Sequence, residues 1–223
     1  MKRKNFLEKQ IKKFINVNSS IIVFGGGQME NEIFENNNFK NVSFLNIDHT
    51  DLSNIKFNKI IASMNNNNLE NNSFDFAIAN ASIHHSSKPH LSILEMYRVA
   101  KDGVLILEGN DSLLMNIATK LGYSEIFEKS AIQNNTGGVD NSSIPNFIYR
   151  WNEKEIYKLI SSYKPDINHR IIFDYSYDLG NVLKQGNYLT LIIKFIFKIF
   201  FKLFKKQQNL MSIYINIKDS VVR

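Results

Sequence analysis

Short apolar runs that alternate with helical segments are the feature that most restricts the fold of this chain. Helical spacing of apolar residues is found at 4–15, before the first run, and at 89–100, between the last two. Because a strand–helix–strand order requires right-handed crossovers, the first half is predicted to form a parallel sheet with helices on both faces. The five runs have the length and residue types of buried strands, and they cover 21–24, 42–47, 59–62, 74–80 and 104–107.

The second half of the chain is less regular but continues the same mixture of elements. Neither an internal repeat nor a linker rich in proline or serine interrupts it, so one domain suffices for the 223 residues. The polar segment 133–145 is predicted to be a loop. The remaining predictions are helices at 112–121, 152–163 and 188–206 and strands at 170–177 and 210–217.

Composition excludes several kinds of chemistry. The chain has no cysteine, so disulfides, zinc–thiolate sites and cysteine nucleophiles are ruled out. No apolar run of the signal-peptide type follows its first residues, and a cytoplasmic protein is therefore expected. The net charge of +6 is small and scattered over much of the chain, so nucleic acid is not an expected partner.

Three consecutive glycines, Gly25, Gly26 and Gly27, stand between the first predicted strand and the next helix. Glycine allows the backbone to approach a ligand closely while it turns into a helix N-terminus. Asp48 ends the second strand about twenty residues later, where a carboxylate can accept hydrogen bonds from both ribose hydroxyls. A plain strand-to-helix turn and a helix-capping aspartate are the alternatives. Taken together, the two features predict a nucleoside cofactor.

The residues after the glycines argue against a dinucleotide. A dinucleotide site requires a third glycine, but Met29 and Glu30 occupy the positions where it would stand. The Glu30 carboxylate near a helix N-terminus would also repel a pyrophosphate. A cofactor without phosphates is therefore favoured, and an NAD-dependent oxidoreductase is the weaker alternative.

The block from 72 to 106 resembles the class I S-adenosylmethionine-dependent methyltransferases of type 11. It contains a phenylalanine–aspartate strand at 74–76 and a turn with one apolar residue and two histidines at 83–85. An E-x-x-R-V helix at 95–99, a glycine and an apolar strand follow in the order of this family. The resemblance is clear over roughly 21–108 and weaker from there to the last strand.

The resemblance implies an α/β fold: a Rossmann-like, seven-stranded, mostly parallel sheet with helices on both faces and an antiparallel C-terminal edge. Residues 1–223 would form one domain, with an N-terminal helix in 1–18, a cofactor-binding core in 19–110 and the acceptor side in 111–223. The implied enzyme transfers a methyl group from S-adenosylmethionine. Its expected acceptor is a hydroxyl group of a small-molecule, sugar or lipid-linked compound.

The resemblance also implies roles for individual residues. His85, and in second place His84, would act as the base for a hydroxyl acceptor; alternatively, these histidines only pack in the turn. A metal site is not expected, because His84, His85 and His90 lack supporting carboxylates nearby in the sequence. The implied cofactor site comprises the glycine turn, the ribose carboxylate with its neighbour near the adenine, and the ends of the third and fourth strands: Gly25, Gly26, Gly27, Asp48, His49, Ser63, Met64, Asn80 and Ala81.

Departures from the family leave a second interpretation open. Val23 stands where an acid usually precedes the first glycine, and Met29 stands where a third glycine often follows. The acid that commonly follows the third strand is missing from 63–65. A non-catalytic relative that binds the cofactor or a partner is therefore an alternative to the enzyme.

The segment 188–206 combines apolar and basic residues at helical spacing. Lys194, Lys198 and Lys202 recur every four residues, which places them on one stripe of a helix whose other faces are apolar and aromatic. A lysine on every turn argues against a membrane span. A helix that packs on the core is favoured, and a helix that lies in the membrane interface is the alternative.

Overall fold

Residues 2–48, 53–132, 136–178 and 188–222 are described by the computed structural model. Within them the strands are β1 (Ile21–Phe24), β2 (Val42–Asn46), β3 (Asn58–Ile61), β4 (Phe74–Asn80), β5 (Ala100–Gly109), β6 (Phe127–Glu128), β7 (Asn146–Phe147), β8 (Ile167–Ser176) and β9 (Leu210–Val222). The α-helices are α1 (Lys2–Phe14), α2 (Gln28–Asn36), α3 (Pro89–Val99), α4 (Leu113–Lys120), α5 (Glu153–Tyr163) and α6 (Tyr188–Leu203). Single 3₁₀ turns cover Ile83–His85, Lys129–Ala131, Val139–Asn141 and Lys205–Gln207.

Seven of these strands form one sheet in the order β3-β2-β1-β4-β5-β9-β8. The strands β1 to β5 run parallel, and β9 lies antiparallel between β5 and β8. The predicted seven-stranded, mostly parallel sheet with an antiparallel C-terminal edge is therefore confirmed. The strand order reverses beside β1, which pairs with both β2 and β4, and ligands of open α/β sheets bind at the carboxyl ends of strands at such a point.

Alternate side chains of β1 enter two separate cores. Ile22 and Phe24 belong to the core under α3 and α5, whereas Ile21 and Val23 belong to the core under α1 and α2. All four side chains are buried. A strand that is covered on both faces needs an apolar residue at every position, which explains the uninterrupted apolar run in the sequence.

Some strand boundaries differ from the sequence-based prediction. β5 begins at Ala100, directly after α3, because Ala100 is already extended (φ −87°, ψ 138°) and pairs with Phe74. β9 continues to Val222, because its far end pairs with the start of β8, where Ile167 lies opposite Val222. The short strands β6 and β7 pair antiparallel with each other. Apolar periodicity does not predict such extensions, since they depend on a pairing partner elsewhere in the chain.

The E-x-x-R-V sequence of α3 stabilises the fold at a distance from the carboxyl ends of the strands, where ligands are expected to bind. The Arg98 guanidinium pairs with the Glu95 carboxylate at 2.7 Å. It also donates to the Leu69 carbonyl oxygen at 2.6 Å and to the Asn71 side chain at 2.9 Å. A planar guanidinium presents donors in several directions, and here it ties α3 to the chain that leads into β4.

Most of the large apolar side chains described on helix α6, at 195–203, are exposed. Phe201 is buried, whereas Phe195, Ile196, Ile199 and Leu203 are 63%, 58%, 46% and 71% exposed. The helix ends at Leu203, three residues before the predicted end at 206, and the 3₁₀ turn Lys205–Gln207 follows. Among the described helices, none has both the length and the apolar character that crossing a bilayer requires.

Gly26→Ala should destabilise the fold, because a Cβ at Gly26 would lie 2.4 Å from Val23 Cγ1 and 3.0 Å from the Phe44 ring. We expect the free energy of unfolding to fall by about 1–3 kcal/mol, the usual cost of overpacking a core. Gly27→Ala is the matched control, since a Cβ there meets nothing within 4 Å. Urea unfolding of both variants measures the difference. Equal stabilities would contradict the tight packing described for Gly26.

Candidate active site

A cavity of about 180 Å³ opens at the carboxyl ends of β1, β2 and β4, and we call it the first cavity. Five of the residues that the sequence predicted for the site line it: Gly25, Ser63, Met64, Ala81 and His85. The loop 137–141 supplies much of the remaining wall. Gly26 and Gly27 belong to the same turn as Gly25 but do not line the cavity. His49 lies outside the described residues.

The turn after β1 requires glycine at its first position. Gly25 has a left-handed backbone (φ +64°), and a Cβ there would lie 2.6 Å from Ser82 Cβ. The Ser82 hydroxyl donates to the Phe24 carbonyl oxygen at 2.7 Å, so the ends of β1 and β4 are joined directly. This close approach forms the floor of the first cavity.

The N-terminus of α2 is closed by a side chain of its own helix. The Glu30 carboxylate accepts a hydrogen bond from the Gly27 amide at 2.8 Å. A helix N-terminus attracts anions, and here the position is already taken by a carboxylate. Glu30 therefore leaves no anion site for a pyrophosphate, which supports the argument against a dinucleotide.

Asn80, at the end of β4, is held from two sides and does not line the first cavity. Its amide donates to Glu30 Oε1 at 2.6 Å, and its Oδ1 accepts from Arg3 Nε at 3.1 Å. Helix α1 thus reaches the carboxyl edge of the sheet through Arg3. The sequence placed Asn80 beside the reacting centre but contained no local signal for the contact with Arg3, which is 77 residues away.

Asp48 is hydrogen-bonded to the loop that covers the first cavity. Asn141 donates its side-chain amide to the Asp48 carboxylate and accepts from the Gly137 amide at 2.9 Å. Asn141 and Asp140 both have positive φ angles of 61° and 47°, as asparagine and aspartate tolerate in tight turns. The sequence identified 133–145 only as a polar loop and did not predict its contact with Asp48.

His84 and His85 follow β4 in the turn Ile83–His85, where two glutamates meet them. Glu108, at the end of β5, lies 3.1 Å from His84 Nδ1, and its other oxygen accepts from the Ile83 amide at 2.9 Å. Glu128, from β6, lies 3.3 Å from His84 Nε2 and 3.2 Å from His85 Nε2. Glu108 is only 1% exposed, so His84 stands between two carboxylates with little access to water.

The pKa of His84 is raised to about 9. Burial by itself would lower the pKa, but the charges and hydrogen bonds of Glu108 and Glu128 outweigh it. The hydrogen bonds of His84 and His85 in turn hold the pKa of Glu128 well below its usual range. Near neutral pH, His84 is therefore protonated, and its two ring nitrogens face Glu108 and Glu128.

His85, the second histidine of the turn, is held by Asn146. Its Nδ1 accepts a hydrogen bond from the Asn146 side-chain amide at 3.0 Å. The same amide nitrogen lies 3.1 Å from the Gly137 carbonyl oxygen. The Asn146 side-chain oxygen is buried and has no hydrogen-bond partner within the described part of the chain. A buried acceptor without a partner is costly, and a donor on a bound ligand would satisfy it.

The two histidines and Glu128 also meet the geometric condition for a metal site. One ligand atom from each of the three residues lies within 4.8 Å of the others. The sequence-based argument against a metal was that these histidines lack supporting carboxylates nearby. That premise is wrong for all three histidines. β5 and β6 bring Glu108 and Glu128 to His84 and His85, and α5 brings Glu155 to His90. The absence of a metal stays a prediction.

Comparison with known proteins supports the family. Residues 24–107 match a family model described as a methyltransferase domain. This stretch, from the end of β1 to β5, is similar to methyltransferase domains. The predicted resemblance to methyltransferases is therefore confirmed over residues 24–107. No curated protein matches the sequence.

Solved structures of methyltransferases share the fold at low sequence identity. An S-adenosylmethionine-dependent methyltransferase of Methanosarcina mazei is 14% identical with a TM-score of 0.57, covering 93% of this chain and 96% of that one. One of Thermotoga maritima is 13% identical with a TM-score of 0.55, covering 95% and 88%. The magnesium protoporphyrin IX methyltransferase of Synechocystis, solved with S-adenosylhomocysteine, is 9% identical with a TM-score of 0.56, covering 96% and 80%. Identities this low establish the fold alone.

Glu108→Gln should lower the pKa of His84 by about 1–3 units, because it removes one of the two carboxylates that stabilise the imidazolium. Glutamine can still accept from the Ile83 amide. Since the pKa in the folded state lies above the ordinary 6.5, protonated His84 stabilises the fold fully below that pH. This contribution is lost as the pH rises through about 9. NMR titration of the imidazole resonances measures the shift.

Glu155→Gln is the matched control for this titration, since Glu155 faces His90 at 3.0 Å and does not contact His84. It should leave the His84 titration unchanged. A His84 titration that is the same in wild-type protein and Glu108→Gln would refute the described pairing.

Proposed function

We propose that this methyltransferase domain transfers a methyl group from S-adenosylmethionine to a hydroxyl group of a small acceptor. The observation that carries the proposal is the first cavity, in which the glycine turn and His85 line one space at the switch point of the sheet. The Asn146 side-chain amide, which donates to His85 Nδ1 at 3.0 Å, helps to hold this histidine at the wall of the cavity.

The residues present fit this cofactor. The turn at Gly25 leaves no room for a side chain, and Glu30 closes the helix N-terminus to phosphates. S-adenosylmethionine, when bound, supplies a methyl group that its sulfonium has already activated. Asp48 would hold the ribose, and the turn 25–27 would hold the methionine part. Ser63 and Met64 would face the adenine, as would His49, and Asn80 and Ala81 would lie beside the reacting centre.

His85 is the residue that we propose as the base. Its Nε2 faces the Glu128 carboxylate, which favours a proton on Nε2 and leaves the lone pair on Nδ1. An acceptor hydroxyl that replaced the Asn146 amide could give its proton to that lone pair. His84 is already protonated near neutral pH, which supports placing it second as a base.

A non-catalytic relative is the second candidate, and one observation favours it. The Asp48 carboxylate is engaged by Asn141, so a ribose must compete with this hydrogen bond. Two departures from the family also favour a non-catalytic relative. The acid after β3 is missing, and Val23 stands where an acid usually precedes the first glycine. The two candidates differ in whether the chain binds S-adenosylmethionine productively, and calorimetry addresses this first.

Asp48→Ala should weaken the binding of S-adenosylhomocysteine by about 1–3 kcal/mol, because the ribose hydroxyls would lose a charged partner. Isothermal titration calorimetry on the full chain measures this difference. Asp166→Ala, at an exposed turn before β8, is the control and should bind like the wild type. If wild-type protein takes up neither S-adenosylhomocysteine nor S-adenosylmethionine at millimolar concentration, the enzyme proposal fails.

We further propose that α6 rests on a membrane surface, where a sugar or lipid-linked compound would be available as an acceptor besides a small molecule. The exposed apolar side chains Phe195, Ile199 and Leu203 share this helix with exposed Lys198 and Lys202. Aromatic and basic residues on one helix suit the boundary between lipid head groups and acyl chains. A cytoplasmic location with peripheral attachment, and the absence of a nucleic-acid partner, stay predictions.

Charge reversal on α6 should weaken binding to anionic vesicles. We expect the double variant Lys198→Glu, Lys202→Glu to float with phosphatidylglycerol vesicles about tenfold less, or less still. The reason is that each basic residue near an anionic surface contributes about 1 kcal/mol to binding. Lys154→Glu with Lys158→Glu, two exposed lysines at the same spacing on α5, is the matched control. Equal losses in both pairs would show that only net charge matters, and the docking of α6 would be rejected.

A further inference from the structure

A second cavity, of about 230 Å³, lies next to the first at the carboxyl end of β5. Five ionisable residues line it: Arg3, His84, Glu108, Glu128 and Arg150. The rings of His84 and His85 are 4.6 Å apart, and each ring lines one of the two cavities. The second cavity is therefore separated from the proposed cofactor site by a pair of side chains.

The two acids of the second cavity are already paired. Glu108 contacts His84 with one oxygen and accepts from the Ile83 amide with the other. Glu128 contacts both His84 and His85 through one oxygen. Neither carboxylate faces an arginine within 4.0 Å among the described ion pairs. Both carboxylates of this cavity thus contact the histidines rather than the arginines.

Neither of the two arginines forms an ion pair with any of the acids that the structure describes. Arg150 donates to neutral groups, the Ser124 hydroxyl at 2.7 Å and the Glu125 carbonyl oxygen at 3.0 Å. Arg3 donates to the Asn80 side chain. Within the described part of the chain, neither guanidinium has a carboxylate within 4.0 Å, and each keeps donors that no described bond uses. A partly buried guanidinium without an anion is costly, and burial lowers the pKa of Arg150 although Asp111 acts against it.

We propose that the second cavity binds an anionic group of the methyl acceptor, a carboxylate or a phosphate, through Arg3 and Arg150. Arginine presents paired donors that match the oxygens of both groups. The acceptor's body would lie against the apolar side chains Met115, Ile148 and Leu210, which line the same cavity. This inference rests on the proposed function, since it treats the second cavity as the acceptor site of the same enzyme.

The test compares an anionic probe with its neutral isostere on the full chain. We expect 3-hydroxybenzoate to bind about tenfold or more tightly than 3-hydroxybenzamide, in the range of hydrogen bonds to charged groups. Phenyl phosphate serves as the phosphate probe. The anion that binds more tightly shows whether the cavity prefers a carboxylate or a phosphate. Calorimetry is run with and without saturating S-adenosylhomocysteine.

Variants assign the binding to the arginines. Arg150→Gln and Arg3→Gln should each weaken the preferred anion by about tenfold, while 3-hydroxybenzamide is unaffected. Arg170→Gln, which removes an exposed arginine on β8, is the matched control and should bind like the wild type. If Arg150→Gln fails to fold by circular dichroism, Arg3→Gln decides, because it lies on a different element.

Two results would overturn the inference. One is equal binding of the benzoate, the benzamide and phenyl phosphate; the other is an anion preference that survives both arginine substitutions. These failures are distinguishable from failure of the proposed function. If S-adenosylhomocysteine binds and the anions do not, the anion site alone is refuted. If the anions bind and S-adenosylhomocysteine does not, the cofactor proposal is refuted, and the second cavity is an anion site without the role of a methyl-acceptor site.

Discussion

The contact between the turn after β1 and the end of β4 is the constraint on which both cavities depend. The Ser82 hydroxyl donates to the Phe24 carbonyl oxygen, and Gly25 leaves no space for a side chain between the two strand ends. The turn that follows Ser82 then directs His84 and His85 to neighbouring cavities. A small displacement here would separate the proposed methyl donor site from the proposed acceptor site.

His84 and His85 differ in the carboxylates that surround them. His84 lies between Glu108 and Glu128 and is protonated near neutral pH, so it carries positive charge into the second cavity. His85 shares only Glu128 and keeps its Nδ1 toward Asn146. Adjacent residues with the same side chain thus have different chemistry, because their carboxylate partners differ in number and burial.

Sequence reasoning predicted the local features of this site and missed the distant ones. Gly25, His84 and His85 were identified because glycine turns and strand ends leave a pattern within a few residues. Glu128 was not predicted, since it reaches His84 across 44 residues, and Asn141 reaches Asp48 across 93. The E-x-x-R-V helix contributed to the family resemblance, although Arg98 proved to act in the fold.

The sequence by itself determined most of the order of strands and helices and the parallel part of the sheet, and it predicted a cofactor without phosphates. These features could be predicted because buried strands, helix periodicity and glycine turns leave patterns among neighbouring residues. Only the tertiary structure decided which acids surround His84 and which arginines form no ion pair within the described residues. Charge pairing depends on distances of a few ångströms between segments far apart in the chain, and no local pattern contains those distances.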